Sequence, residues 1–246
     1  MKDRAATGAV STALLGAALI CSPAPATAWT ERIRLDDLGG LLIDKAEVSI
    51  ADFERYAAAT GFVSRAEQEG GGYEYAGGWQ RRPGWHWRKP EGTAPASTHL
   101  PAVHLTQEEA QRYCAWAGGR LPLATEWRQA AYTELRAAPP SPWQRGRSYT
   151  YPTGSNPNGA NTSDPDPWPR AAPVRATATG VNGLYGMGAN VWEWAADAKG
   201  SERPTLGGSW WYPPSQMRAE VDAWKPGDFY AVYIGFRCVY PATAGR

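Results

Sequence analysis

The stretch Gly183-Leu-Tyr-Gly-Met-Gly-Ala-Asn-Val-Trp-Glu-Trp194 is the most informative part of this chain. Two short blocks follow it, Gly207-Gly-Ser-Trp210 and Gly235-Phe-Arg-Cys238. Glycine permits tight turns, and tryptophan buries a large apolar surface in one residue. The whole chain shares this bias, with 27 glycines, 21 prolines and 13 tryptophans among 246 residues. The composition therefore indicates a loop-rich fold, held by large aromatic side chains rather than by long helices or strands.

The first 28 residues have the pattern of an export signal. Two basic residues precede an apolar run of 11 residues at 10–20, and Ala26-Thr27-Ala28 is a small-residue cleavage site. Because 11 apolar residues are too few to cross a bilayer, we predict a cleaved signal peptide over 1–28. Cys21 leaves a lipoprotein open, but Ile20 stands where lipidation requires a small residue. The predicted location of the mature chain is periplasmic or secreted.

The remaining residues, 29–246, are predicted to form a single domain, which we expect to be monomeric. Loss of the signal peptide leaves 23 basic and 23 acidic residues, so the mature chain has almost no net charge. A neutral balance argues against nucleic acid or an anionic membrane as the main partner. No later stretch approaches about 18 consecutive apolar residues, which predicts that the mature chain is not inserted in a membrane.

Two cysteines, Cys114 and Cys238, belong to the predicted mature chain. An even number of cysteines in an exported protein favours a disulfide. A bridge that closes so long a loop could stabilise the fold by ~4–5 kcal/mol in the chain-entropy model. A redox or metal-binding pair is the alternative, and it is less favoured because neither cysteine has a second thiol nearby in sequence.

Capping signals predict two helices. Ser49, with Asp52 three residues later, begins the first, and Gly61 ends it. Thr106-Gln-Glu-Glu109 is a capping box that begins the second, and Gly118-Gly119 ends it. The other predictions are a third helix from about 125 to 135, strands at 41–43, 231–234 and 236–240, and loops over 67–95 and 153–173.

The three opening blocks together resemble the core signature of the formylglycine-generating enzyme (sulfatase-modifying factor) family. The similarity is collinear over roughly 41–240, and further blocks carry it: Ile43-Asp-Lys-Ala-Glu-Val-Ser49, Trp87-Arg-Lys-Pro-Glu-Gly92, Pro101-Ala-Val-His104 and Tyr113-Cys-Ala-Trp-Ala-Gly-Gly-Arg-Leu-Pro122. The resemblance implies a mixed α+β, C-type-lectin-like fold with little regular secondary structure. It also implies that Cys114 and Cys238 form a structural bridge.

The catalytic thiols of the family have no counterpart here. In its aerobic enzymes, two cysteine thiolates bind copper and activate oxygen to convert a sulfatase cysteine to formylglycine. Counted from Ser209, those positions hold Tyr212 and Met217. Cu(I) is selected by soft thiolates, whereas tyrosine is a poor ligand and a single neutral thioether is not enough. We therefore expect neither this mechanism nor a redox metal.

Part of the family's cleft remains. Asn190, Trp192 and Ser209 fall on active-site positions of the family, and with Tyr212 and Met217 they are the candidate cleft residues. Aromatic walls there would suit a peptide or a small molecule. The alternative is that these side chains belong to the core.

The resemblance also implies calcium. At the first site, Asn161 and Asp166 would give side-chain oxygens, and Thr162 and Trp168 backbone carbonyls, which are the oxygen ligands that Ca²⁺ prefers. The alternative is a loop of Asx turns without metal.

A second calcium site is predicted to be weaker. It would use the carbonyls of Ala189 and Val191 and the carboxylate of Glu193, but Gly186 stands where the family has Asp or Asn. The alternative for Glu193 is a salt bridge or a buried hydrogen bond.

Three functions stay open at this stage. We favour an exported relative that assists maturation or oxidative tailoring of a periplasmic protein or peptide. The main rival is a non-enzymatic, lectin-like ligand-binding module or pseudoenzyme. A sulfatase activator with a different ligand set is the third. Whether the chain is an enzyme, for example an oxidoreductase, is left undecided by the sequence.

Overall fold

The computed structural model describes residues 31–242, except for the side chain of Asp222. The predicted signal peptide, 1–28, and its cleavage site lie outside the described residues.

Both helices that begin with capping signals are present. Helix α1 spans Ile50–Thr60, where Ser49 Oγ accepts a hydrogen bond from the Asp52 amide at 3.1 Å, and Gly61 ends the helix with φ +68°. A one-turn helix, α2, spans Arg65–Gln68. Helix α3 spans Gln107–Trp116 behind the predicted capping box, and it buries its Ala110, Tyr113 and Cys114. These local signals were sufficient because a cap satisfies helix-end amides with side chains only three residues away.

The third helix is shorter than predicted. Helix α4 spans Ala124–Tyr132, three residues short of the expected end. Thr133 has extended backbone angles and forms a bridge with Ser148, so the chain leaves the helix to pair with a later segment. A partner fifteen residues away is not visible in the local helical pattern.

Within residues 31–242, nine short strands form three small sheets. In chain order they are β1 (Arg32–Leu35), β2 (Leu41–Asp44), β3 (Gly71–Tyr75), β4 (Trp79–Pro83), β5 (Trp192–Trp194), β6 (Glu202–Leu206), β7 (Asp222–Pro226), β8 (Ile234–Gly235) and β9 (Val239–Tyr240). One sheet has the antiparallel order β1-β2-β9, β3 and β4 form a hairpin, and the third has the order β7-β6-β5-β8. In that third sheet only the β5–β8 pair is parallel. The architecture confirms the predicted irregular α+β fold.

Two strand predictions near the C-terminal end were too long, and one hairpin was missed. The strand expected over 231–234 begins only at Ile234, because the Val232 amide donates instead to the carbonyl of Tyr73 on β3. The strand expected over 236–240 is confined to β9. The segment 67–95, expected to be a loop, contains part of α2 and the whole β3–β4 hairpin.

Aromatic side chains fill the core, as the composition indicated. Phe53 of α1 contacts the rings of Trp87, Tyr113 and Phe236 at centroid distances of 4.8, 5.4 and 6.2 Å. Beside this cluster, Cys114 and Cys238 form a buried disulfide with Cα atoms 5.5 Å apart, which confirms the predicted bridge. Helix α3 is thereby linked to the end of the chain.

Among residues 31–242, the structure has no helix that is both long and apolar enough to span a membrane.

Candidate functional site

The signature stretch 183–194 contains a sharp turn at residues 189 and 190, and that turn is joined to two distant segments. Ala189 and Asn190 both have left-handed backbone angles, with φ +61° and +53°. The Ala189 amide donates to the Gly207 carbonyl at 2.6 Å, and the Asn190 amide donates to the Asn161 carbonyl at 2.9 Å. The Trp210 amide in turn donates to the Asn190 carbonyl at 2.9 Å. The blocks 183–194 and 207–210 therefore lie next to each other because their backbones are hydrogen-bonded.

The side chain of Asn190 acts as a structural junction. Its Oδ1 accepts hydrogen bonds from Asn161 Nδ2 at 3.0 Å and from the Ala172 amide at 2.8 Å. Its Nδ2 donates to Glu47 Oε1 at 2.8 Å, and the residue is fully buried. The amide is thus engaged within the protein, which agrees with the core alternative for this position.

The other cleft candidates divide between the core and the surface. Trp192, Ser209 and Met217 are buried, whereas Tyr212 is half-buried and Trp211 beside it is exposed. Tyr212 meets the ring of Trp192 edge-on at 5.6 Å. Of the five candidates, only Tyr212 therefore presents part of its side chain to solvent.

The two positions of the copper thiolates lie in different packing clusters. Tyr212 packs against the main aromatic core, whereas Met217 packs with Ala160 and Ala189 in a separate small cluster. Both cysteines among residues 31–242 are joined in the disulfide, so this part of the chain offers no free thiol. A two-thiolate copper centre cannot form from the described residues.

A lysine amine lies against Trp192, although no sequence pattern indicated it. Lys225 of β7 donates from Nζ to Thr205 Oγ1 on the neighbouring strand β6 at 2.8 Å. The same Nζ lies 4.9 Å from the ring centroid of Trp192. Burial lowers the pKa of Lys225 to about 8. The side chain of Lys225, whose pKa is close to neutral, therefore reaches across β6 from β7 to Trp192 on β5. The sheet order β7-β6-β5 produces this contact.

The first predicted calcium loop fits a cation in part. Asn161 Oδ1 is buried and has no hydrogen-bond partner, which suits a metal ligand. Asp166, however, accepts backbone amides with both carboxylate oxygens, from Thr162 at 3.0 Å and from Trp168 at 2.8 Å. The loop thus contains the Asx-type turn of the alternative, together with one unused buried oxygen.

The second predicted calcium site does not fit a cation. Both carboxylate oxygens of Glu193 bind the buried guanidinium of Arg237, at 2.6 and 2.7 Å, and Trp127 Nε1 donates to the same group at 2.8 Å. A Cβ atom at Gly186 would collide with the carboxylate of Glu47. Glu47 thus fills the space where a side-chain ligand would begin, and the structure has the salt bridge that was the alternative for Glu193. The carbonyls of Ala189 and Val191 are left without the carboxylate that the site required.

The histidines do not assemble a metal site. His104 is buried, its Nε2 lies 2.9 Å from the Pro90 carbonyl, and burial lowers its pKa to about 4. His86 lies 3.8 Å from a carboxylate oxygen of Glu67, and His99 lines a separate surface cavity. Among residues 31–242, no cluster of three or more His, Cys, Asp or Glu side chains has the geometry to hold a metal.

Two surface cavities lie away from the predicted cleft residues. One, of about 560 Å³, lies between the start of α1 and residues 173–176. The other, of about 360 Å³, lies between residues 90–100 and 168–173. The second cavity is lined in part by Trp168, whose carbonyl is a predicted calcium ligand, and by Arg170, which the sequence did not suggest as a binding residue.

Comparison with known proteins places the chain in one family. The model of the sulfatase-modifying factor enzyme 1-like domain matches residues 29–242. The chain is 30% identical to the formylglycine-generating enzyme of Thermomonospora curvata, over 84% of each protein. It is 32% identical to the inactive Cα-formylglycine-generating enzyme 2 of Mus musculus, over 68% of this chain and 58% of the mouse protein.

The solved structure of PvdO from Pseudomonas aeruginosa has the same fold, with a TM-score of 0.60 and 22% identity over 81% of this chain and 79% of that one. The chain belongs to the sulfatase-modifying factor (formylglycine-generating enzyme) family.

Proposed function

We propose that this chain is an exported member of its family that assists maturation or oxidative tailoring of a protein or peptide, without copper thiolates. The observation that carries the proposal is the pairing of a retained scaffold with replaced thiolates. Similarity to a formylglycine-generating enzyme extends over 84% of the chain, yet Tyr212 and Met217 pack in separate clusters. The client is a protein or peptide of the exported compartment.

The surface around Tyr212 is where we place the activity. Tyr212 and Trp211 both reach solvent in this region, Tyr212 packs on Trp192, and the low-pKa amine of Lys225 lies against the Trp192 ring. Aromatic walls with a few polar groups are typical of sites that bind peptides or small molecules.

The experiment combines metal content with turnover. Purified mature protein is analysed for metals and then mixed with peptides that span the exported proteins encoded beside it, while oxygen uptake and peptide mass are recorded. We expect a mass change in one client, and at least about tenfold slower turnover for Tyr212→Ala. Lys199→Ala, on an exposed turn, is the matched control and should behave as wild type. A stoichiometric copper or iron centre would contradict the proposed absence of a redox metal.

A non-enzymatic binding module is the second candidate. Its support is the engagement of Asn190 by internal hydrogen bonds, the burial of Ser209, and the likeness to a mouse relative described as inactive. Binding of a client peptide with no oxygen uptake and no change in its mass would favour this candidate over tailoring.

We assign calcium a structural role in the loop of Asn161, Thr162, Asp166 and Trp168. The unused buried oxygen of Asn161 supports this assignment. Millimolar Ca²⁺ should raise the midpoint of thermal unfolding relative to excess EGTA, because a ligand that binds only the folded state stabilises it. Asn161→Ala should abolish that increase, whereas Asn156→Ala, in the neighbouring exposed turn, should retain it. Equal midpoints for wild type in Ca²⁺ and EGTA would exclude the site.

A further inference from the structure

The cavity of about 360 Å³ is mainly apolar and continues inward. Four prolines, three alanines, Leu100 and Trp168 form most of its wall. A smaller void of about 20 Å³ adjoins it, since the two share Pro90, Glu91, Leu100, Arg170 and Ala171. The void is also lined by Trp210, which is only 7% exposed. The pair of spaces therefore forms an open apolar pocket with a small buried end.

Two hydrogen-bond donors at the buried end have no acceptor. Arg170 Nη1 and Trp210 Nε1 are both buried and unpartnered, and the guanidinium carbon lies 5.3 Å from the indole ring centroid. A buried donor without an acceptor is costly, and such groups are normally satisfied. Both donors belong to residues that line the same void, so one acceptor placed there can satisfy both.

The charges around Arg170 decide what kind of acceptor fits. Its Nη2 donates to Glu74 at 2.8 Å, its Nε lies 3.5 Å from Glu91, and Glu74 also binds Arg82 at 2.9 Å. The two arginines and two glutamates of this group already cancel in charge. A carboxylate would therefore add an uncompensated buried charge. A space of about 20 Å³ also holds little more than one water-sized group. A neutral carbonyl oxygen meets both conditions.

We infer that this pocket is a peptide-binding subsite, in which Arg170 and Trp210 donate hydrogen bonds to one backbone carbonyl and the larger cavity takes the adjoining proline or aliphatic side chain. The subsite rests on the proposed function in that the peptide would belong to the client. Arg170 is supplied by the proline-rich segment 165–173, and Trp210 by the block 207–210. The subsite lies apart from Tyr212, which lines neither space.

The probe is the uncharged dipeptide N-acetyl-prolyl-leucinamide, titrated into ¹⁵N-labelled protein while the indole N–H resonances are recorded. Trp210→Phe identifies the Trp210 resonance. We expect the probe to shift that resonance, and Arg170→Met to weaken binding about tenfold, as for loss of one hydrogen bond from a charged donor. Arg82→Met is the matched control, because it also removes an arginine partner of Glu74 but does not line the void. It should bind the probe as wild type does.

Three outcomes would overturn the inference. They are a Trp210 resonance that the probe leaves unmoved at ~20 mM, a shift caused by acetate but not by the neutral probe, and equal binding by wild type and Arg170→Met. The other indole resonances report whether each variant is folded. The test separates the two proposals, since probe binding without any tailored client contradicts only the proposed function. A tailored client without probe binding contradicts only the subsite.

Discussion

At the scale of single residues, the most informative group is the buried charge around Arg237. Its guanidinium binds both oxygens of Glu193 and donates to the carbonyls of Asp44 and Tyr185 at 3.1 and 2.8 Å. Glu47 Oε2 lies 4.0 Å from the same guanidinium and has no hydrogen-bond partner. Two buried carboxylates thus lie beside one buried arginine.

Arg237→Met should destabilise the protein strongly. Removal of one partner leaves Glu193 and Glu47 buried without a counter-charge, which costs about 3–5 kcal/mol. Urea unfolding followed by fluorescence measures the difference. Arg112→Met is the control, because its pair with Glu108 is exposed and should contribute about 0–1 kcal/mol. A loss of stability below ~1 kcal/mol for Arg237→Met would show that Glu193 and Glu47 do not need this guanidinium as a counter-charge.

Glu47 should make stability fall as pH rises. Burial raises the pKa of its carboxyl from 4.5 to about 7, so between these values the folded state holds a proton that the unfolded state has released. Stability contributed by this proton is fully present below pH 4.5 and is lost as pH rises through about 7. Glu47→Gln, which keeps an oxygen acceptor for Asn190, should remove that loss.

The comparison is made by urea unfolding of both proteins at pH 5, 6 and 7.5. His104 acts in the opposite direction, because burial lowers its pKa from 6.5 to about 4, and it is present in both proteins, so it cancels in the difference. Glu108→Gln, which removes an exposed carboxylate, should keep the wild-type slope. Parallel pH profiles for wild type and Glu47→Gln would contradict the raised pKa.

At the scale of elements, the sequence predicted the helices whose ends are stabilised by contacts within a few residues. The capping residues Ser49 and Thr106 placed α1 and α3 correctly because each cap and its helix lie within one turn. The β3–β4 hairpin was missed because its stability comes from elsewhere. Gly72 packs against the ring of His104, where a Cβ atom would collide, and Tyr73 accepts a hydrogen bond from Val232. A glycine-rich, arginine-rich segment looks like a loop until those distant partners are known.

The candidate site was likewise predicted only in part from the sequence. Matching to family blocks located Asn190, Trp192, Ser209, Tyr212 and Met217, but burial decides their roles and burial is a property of the whole fold. Lys225 and Arg170 were not predicted because their surroundings come from strand order and from a proline-rich loop. Neither relation is encoded in a spacing along the chain.

The β6–β7 pair should make Lys225 an unusually reactive amine near neutrality. Trace labelling with acetic anhydride, followed by peptide mass analysis, should give a pH profile with half-maximal reactivity near pH 8. Thr205→Val removes the hydroxyl that accepts from Nζ and should alter this profile, whereas Lys199 in the same samples serves as an exposed reference. If Lys225 reacts like an ordinary exposed lysine, with a midpoint above pH 10, the burial described here is wrong.

At the scale of the whole molecule, short sheets and large aromatics are joined by one covalent bridge. The family resemblance predicted this plan well, because fold, block order and the Cys114–Cys238 pair depend on the scaffold that relatives share. At the second predicted calcium site, the family resemblance did not predict the contacts that the side chains make. In that site one glycine, Gly186, and the carboxylate of Glu47 that fills its space change the local chemistry.

Removal of the bridge should cost a large fraction of the stability. The cysteines are 124 residues apart in sequence, and closing so long a loop restricts the unfolded chain by ~4–5 kcal/mol in the chain-entropy model. Cys114→Ala/Cys238→Ala should show this loss in urea unfolding, and reduced wild type should match it. Mass analysis without reductant should show one cross-linked peptide pair. An oxidised protein no more stable than the double variant would contradict a stabilising bridge.

The pairing of β2 with β9 has a consequence for how the protein is made. Leu42 pairs with Tyr240, so a strand near the beginning of the described chain waits for one near its end. A chain that emerges with its N-terminus first can pair β2 with β1 at once, but the other edge of β2 stays unpaired until β9 has emerged. Such an exposed strand edge is open to wrong partners. Shielding this edge of β2 until β9 arrives should therefore reduce mispairing during synthesis.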